Sequence, residues 1–194
     1  MKVIDATIIT KIPYVTLFDV SYEDQKGQTR HWNMVSRQEP PKCISGQRLR
    51  PDAAIIVPYH RAEEKLVVIK EFRIPVGDFQ YGFPAGLLDP GEALETAAGR
   101  ELHEETGLEL VRVYRHSPAI FSSAGLTDES IAMVFAEVKG TPSTHRNSDN
   151  EEIEIFLMGR QEVQTLTQRR DIVFGARAWL AMDAFARMGE AYFT

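Results

Sequence analysis

The stretch from Gly86 to Leu108 constrains this chain more than any other. It carries three carboxylates, Glu101, Glu104 and Glu105, at i, i+3 and i+4. Side chains at that spacing share one side of a helix. Pro90-Gly91 ends a turn before them, and Gly107 reads as a left-handed cap after them. The spacing therefore predicts a helix over about Glu92 to Thr106. Wound at about 100° per residue, Leu94, Ala97, Ala98 and Leu102 define an apolar arc. Glu101 and Glu105 fall inside that arc, and Glu104 falls on its edge. Thr96, Gly99, His103 and Thr106 fall on the opposite, wet side.

Carboxylates are expensive to bury, and they repel one another when close. Something must compensate Glu101 and Glu105. On this arc only Arg100 comes near, and it comes near Glu104. A divalent cation serves better, because Mg²⁺ prefers oxygen ligands and keeps several waters. The competing reading is a solvated acidic face with i,i+4 pairs, and the angular placement weighs against it.

The rest of the chain bounds the problem. Its 194 residues suit one domain with a small appendage, and 43% apolar with 26% charged residues is ordinary for a soluble globular protein. The single cysteine, Cys43, excludes an intrachain disulfide and reads as a bystander thiol. The net charge of −6 argues against nucleic acid or a membrane surface as partner. The start, Met1-Lys2-Val3-Ile4-Asp5, does not read as a signal peptide, and no window is apolar enough to span a membrane. A cytoplasmic protein is expected.

Thr7–Thr10 and Tyr14–Val20 are rich in β-branched and aromatic residues, and Thr29–Val35 returns after a turn at Asp24-Gln25-Lys26-Gly27. A loop is expected from Gln38 to Arg50. Ala53–Val57 and Leu66–Ile69 read as a hairpin, followed by short strands at Tyr81–Phe83, Leu108–Tyr114, Ile131–Ala136 and Glu152–Leu157. Two helices close the chain, Gln161–Thr167 and Ile172–Met188. The last reads as a packing helix on Val173, Ala176, Leu180 and Phe185. A mixed sheet covered by helices follows, an α/β architecture behind a small antiparallel β layer.

The whole stretch resembles the Nudix box. Gly86, Glu92, Arg100, Glu101, Leu102, Glu104, Glu105, Gly107 and Leu108 match each of its fixed positions. The resemblance implies a Nudix hydrolase with an α/β/α sandwich fold. It implies a loop-helix-loop that holds Mg²⁺ or Mn²⁺, two or more ions to a site, against the diphosphate of a nucleoside diphosphate derivative. By the same resemblance Glu101, Glu105 and the Ala85 carbonyl are metal ligands and Glu104 is a further one, with Glu92 in support. Arg100 pins the loop and orients a box carboxylate, and it counts with Glu104 among the catalytic groups. The division expected is a β layer over 1–48, at a dimer contact, and a hydrolase domain over 49–194.

Flanking runs are similar to the ADP-ribose pyrophosphatase group. They are Glu71-Phe72-Arg73, Phe83-Pro84-Ala85-Gly86, Ser123–Ser130 and Asp149–Glu154. That likeness implies that Glu129 orients or deprotonates the attacking water, and that Arg73, accompanied by Glu71, binds phosphate. A surface ion pair is the alternative for those two. In that group the N-terminal layer swaps between two subunits, so a homodimer is implied. Trp32, in Arg30–Arg37, would face adenine or else pack at the dimer contact. Ala124 stands where the group usually has Pro. ADP-ribose, cut to AMP and ribose 5-phosphate, therefore stays beside GDP-mannose, other nucleotide sugars and dinucleotides as a candidate substrate. A binding module that does not cut is the alternative from another class, and the intact box argues for the enzyme.

Overall fold

A computed structural model describes residues 1–145 and 152–193. Asp149, Asn150 and Glu151 of the flanking runs lie outside the described residues. In chain order the first strands are β1 (Lys2–Ile12), β2 (Val15–Glu23) and β3 (Thr29–Ser36), followed by the short helix α1 (Lys42–Ser45). Next come β4 (Ala53–His60), β5 (Lys65–Arg73), β6 (Asp78–Gly82), β7 (Ala85–Leu87) and α2 (Leu94–Thr106). Then follow β8 (Glu109–His116), β9 (Ile120–Phe121), β10 (Ser130–Lys139) and β11 (Ile153–Met158). The chain ends with α3 (Arg160–Gln168), β12 (Val173–Phe174) and α4 (Ala176–Met188). It divides into two compact units, one of Met1–Asp52 with Pro118–Ile131, the other of Ala53–Ser117 with Ala132–Thr194.

In the first unit β1, β2 and β3 form an antiparallel meander in sequence order. The turn between β2 and β3 is closed by Asp24, whose Oδ1 accepts the backbone N–H groups of Lys26 and Gln28, with Gly27 at φ +74°. Phe18, Val20 and Met34 form a small core, with Ala6 and Cys43 packed against it. The expected loop from Gln38 to Arg50 contains α1, which a left-handed Gly46 ends. β9 pairs with the start of β10 through Phe121–Ser130 and Ile120–Ile131.

The second unit is a sheet in the order β12-β6-β5-β4-β10-β8, with β11 on β5 and β7 on β4. β12 runs parallel to β6, whereas β5, β6, β8 and β11 pair antiparallel, so the sheet is mixed. Successive residues of a strand point to opposite faces. Val57, Val68 and Phe135 accordingly join one core with Met182 and Phe185 of α4 and Val163 of α3. Their neighbours Ile56, Val67 and Val134 join the other core, with Ala98 and Leu102 of α2. Both faces of the sheet are thus covered by helices, as the resemblance implied. Among the described residues no helix is long and apolar enough to cross a membrane.

Three local expectations need correcting. The box helix starts at Leu94, with Ala93 as its N-cap, so Glu92 stays in the preceding turn. The last helix starts at Ala176, because Val173 and Phe174 pair with Gln80 and Tyr81 instead; its Leu180 is exposed. Thr106 is fully buried rather than wet. Its hydroxyl donates to the Leu102 carbonyl and accepts from the Leu108 N–H, which lets a polar side chain end a buried turn.

One electrostatic knot away from the box gives a pH test. Glu137 of β10 accepts the Tyr114 hydroxyl at 2.8 Å and Arg112 Nε at 3.0 Å. The Tyr114 hydrogen bond first, then the Arg112 charge, holds the Glu137 carboxyl below the ordinary carboxylate range. A depressed carboxyl stabilises the fold above its unfolded pKa, and that contribution is lost as pH falls through the folded value. In urea unfolding, Glu137→Gln is therefore expected to be less stable than the parent at pH 7. The gap is expected to close as pH is lowered below about 4, near the ordinary carboxylate pKa. A gap that is constant down to pH 3 would rule this account out.

Candidate functional site

The box lies wholly in the second unit. β7 pairs with β4 through Ala85–Ile55 and Ala54–Gly86, which fixes the backbone just before the turn. Gly91, at φ +82°, and the Ala93 cap then bring the chain into α2. At the far end Gly107 is left-handed at φ +69°, and its N–H returns to the His103 carbonyl. The helix is anchored through Ala97, Ala98 and Leu102, all fully buried.

Glu101 and Glu105 turn toward the β7 turn. The Glu105 side chain belongs to a residue only 7% exposed, and its Oε2 accepts the Ala85 N–H at 3.3 Å. The Glu101 carboxylate lies directly over Gly86. A Cβ placed on Gly86 would come within 1.9 Å of the Glu101 carboxyl carbon. Glycine is therefore required here for close approach rather than for an unusual backbone angle. Glu104 lies outside this cradle, with its side chain 52% exposed.

Arg100 reaches further than its angular position suggests. Its Nη1 donates to Glu101 Oε1 at 2.8 Å and to Glu104 Oε2 at 3.2 Å. Its Nε and Nη2 meet both oxygens of Glu92, at 3.1 and 3.0 Å, and Nη2 also donates to the Leu87 carbonyl at 3.1 Å. One guanidinium thus ties the turn to the helix. The hydrogen bonds it donates to Glu92, ahead of that to Glu101, raise the guanidinium pKa further. In return Arg100, and then the Asp89 backbone N–H, pull the Glu92 carboxyl below its ordinary range. The contacts of Arg100 thus extend beyond Glu104, the neighbour its angular position indicates, to Glu101 and across to the turn.

Among the described residues no three His, Cys, Asp or Glu side chains stand grouped to hold a metal. The donors at the box nevertheless fit a hard divalent cation. Glu101, Glu104 and Glu105 offer only carboxylate oxygen, and the glycine cradle leaves the Glu101 carboxylate against bare backbone. Arg100 meets three of the carboxylates, those of Glu92, Glu101 and Glu104, while Glu105 accepts the Ala85 N–H.

The remaining sequence-derived residues form separate groups. Arg73 Nη1 donates to Glu71 Oε1 at 2.7 Å, as residues two apart on one face of a strand can do. In the first unit, Arg37 Nε donates to Glu129 Oε1 at 2.9 Å. Trp32, 51% exposed, lines a mainly apolar cavity of about 210 Å³ with Met34, Cys43, Phe121 and Ala124. Burial raises the pKa of the Cys43 thiol, which keeps it protonated. Sequence reasoning did not find the partner of Glu129, nor the buried Lys42 and Ser130 and the half-buried Asp52 beside it. The contacts to Glu129 and Ser130 join residues 92 and 88 positions apart, and no local pattern announces them.

Comparison with known proteins extends this picture. The chain is 29% identical to the ADP-sugar pyrophosphatase of Mus musculus, over 91% of this chain and 80% of that protein. It is 32% identical to the ADP-ribose pyrophosphatase of Saccharomyces cerevisiae, over 74% of this chain and 63% of that protein. A crystal structure of an ADP compounds hydrolase superposes with a TM-score of 0.72, covering 98% of this chain and 96% of that one, at 17% identity, and so shares the fold. Residues 49–181, well over half of the chain and including the loop and helix described above, match the model of the NUDIX domain. By that match the chain belongs to the NUDIX domain family.

Proposed function

We propose that this chain hydrolyses the diphosphate linkage of a nucleoside diphosphate derivative in a metal-dependent reaction. ADP-ribose is the best candidate substrate, giving AMP and ribose 5-phosphate. The observation that carries the reading is the Glu101 carboxylate lying over Gly86 in the same loop and helix where Glu105 meets the Ala85 N–H. The mouse and yeast relatives, an ADP-sugar pyrophosphatase and an ADP-ribose pyrophosphatase, support an ADP-linked sugar as substrate.

Nudix hydrolases generally need a divalent metal, read here as Mg²⁺ or Mn²⁺, two or more ions to a site. Glu101, Glu105 and the Ala85 carbonyl would hold them, with Glu104 as a further ligand. When bound, such ions neutralise the diphosphate and activate water for attack. Arg100 keeps the turn and the helix in register through Glu92 and Leu87. Arg73, with Glu71, binds a substrate phosphate, and Trp32 stacks on the base. Glu129 takes or steers the proton of the attacking water. The water oxygen joins one phosphorus, the bridging P–O bond breaks, and two phosphate monoesters leave. The same reading includes a homodimer, supported by the exposed Val3, Ile4, Ile8, Ile9 and Ile12 on the edge strand β1.

The test is a panel of ADP-ribose, GDP-mannose, other nucleotide sugars and dinucleotides, each with Mg²⁺ or Mn²⁺, followed by product identification. ADP-ribose is expected to be cut fastest, to AMP and ribose 5-phosphate. Binding of ADP-ribose without cleavage would overturn the enzymatic reading, and faster cleavage of another diphosphate would replace the substrate. Glu129→Gln is expected to slow turnover by about a hundredfold or more, the usual worth of a general base, with metal affinity unchanged by calorimetry. An unchanged rate would move the base elsewhere.

A further inference from the structure

The loop that carries Glu129 is held from both sides by one buried residue of α1. Lys42 is only 2% exposed, which is rare for lysine. Its Nζ donates to Asp52 Oδ2 at 2.5 Å and to Ser130 Oγ at 2.6 Å. Its backbone N–H donates to Asp128 Oδ2 at 2.7 Å. Residue 42 therefore grips residue 128 through its backbone and residue 130 through its side chain. Glu129 is the residue between them.

The grip is part of a wider frame. Asp128 Oδ2 also accepts the Ser36 hydroxyl at 3.0 Å, and Asp52 Oδ2 accepts the Ser130 N–H at 2.8 Å. Gln38 Nε2 donates to Asp52 Oδ1 at 2.6 Å. Ser36 and Gln38 flank Arg37 just as Asp128 and Ser130 flank Glu129. The Arg37–Glu129 pair is partly exposed, and such pairs hold little on their own. Here the residues on both sides of the pair are held by hydrogen bonds, and the pair then directs the carboxylate.

A buried ion pair is a poor way to gain stability, because a hydrophobic side chain of similar volume often does as well. What a buried pair supplies is one defined arrangement. We infer that Lys42 is a positioning residue for Glu129, anchoring the side chains of the residues on both sides of it, Asp128 and Ser130, together with Asp52. This rests on the reading of Glu129 as the group that handles the water proton.

The test compares Lys42→Met, Ser130→Ala and Glu129→Gln, alone and combined, in steady-state ADP-ribose hydrolysis with Mg²⁺. Lys42→Met is expected to lower kcat roughly tenfold or more, since small misplacements of a catalytic group cost this much, while KM stays within twofold. Ser130→Ala is expected to show a smaller fall with the same split. Lys42→Met/Glu129→Gln is expected to be no slower than Glu129→Gln alone, because a misplaced base that is already absent costs nothing more. A normal kcat in Lys42→Met, an effect confined to KM, or losses that multiply in the double variant would each overturn the inference. If Lys42→Met does not fold, Ser130→Ala decides, and a normal kcat there overturns it. A Glu129→Gln enzyme at the parent rate instead sinks the base reading itself. A slow Glu129→Gln beside a normal Lys42→Met sinks only the positioning.

Discussion

Glu105→Gln is expected to lose turnover by at least about a hundredfold, since even outer-shell partners of a metal cost ten- to a hundredfold when changed, while the fold survives. The reasoning starts from burial. Glu105 is 7% exposed, on a helix whose neighbouring Glu101 and Glu104 are also acidic. Removing its charge relieves like-charge repulsion, so the folded state does not suffer from the change. Glutamine keeps a carbonyl oxygen that can accept the Ala85 N–H, which Glu105 Oε2 now does at 3.3 Å. What glutamine cannot supply is an anionic oxygen for a hard cation. The expected result is therefore a split: a melting temperature without added metal equal to or above that of the parent, and weaker Mn²⁺ binding with little hydrolysis. Near-parent hydrolysis in Mg²⁺ would overturn the metal role of the box.

That split depends on a feature the sequence showed well. The three glutamates and Gly107 are local to one another, so 3.6-residue periodicity and a cap residue suffice to place them, whereas Gly86 was read from the resemblance. Buried Glu105 on the side of Ala98 and Leu102 follows from that geometry alone. The two-sided core was legible for the same reason. Ile56 and Val57 are both apolar, and a strand with both neighbours apolar has both faces covered.

The misreadings have a common physical source. A helical wheel gives the direction of Cα–Cβ but not the reach of a side chain, so angles alone do not show that Arg100 meets Glu92 and the Leu87 carbonyl. It also treats the helix as bare, whereas the chain leaving Gly107 covers Thr106. At the last helix, Val173 and Phe174 suit either period over so short a run. Gly175, the N-cap, was the only local sign of the boundary. The frame around Glu129 was out of reach altogether. Lys42 sits in a loop-like run with Pro40, Pro41 and Gly46, and only the fold brings it to Asp128 and Ser130.

Gly86→Ala is expected to separate catalysis from stability without changing a charge. The added methyl would meet the Glu101 carboxyl carbon at 1.9 Å and its oxygens at 2.0 and 2.2 Å, closer than real atoms approach. One of the two must move. The obstructing group is the free end of a flexible side chain, and Gly86 is not at positive φ, so alanine suits the backbone. The Glu101 carboxylate should swing away at little cost in stability. In moving, it leaves the place where Arg100 Nη1 now holds it at 2.8 Å. A displacement of about 1 Å in a positioned group can cost about a hundredfold in rate. The expected enzyme is folded, with an unfolding midpoint close to that of the parent, and slower by about that factor. Gly86→Ala/Glu101→Gln should be no slower than Glu101→Gln alone, because both changes act on the same carboxylate. A Gly86→Ala enzyme at the parent rate would mean that the Glu101 carboxylate does not work from its place over the glycine, and the carboxylate-on-glycine cradle would lose its role.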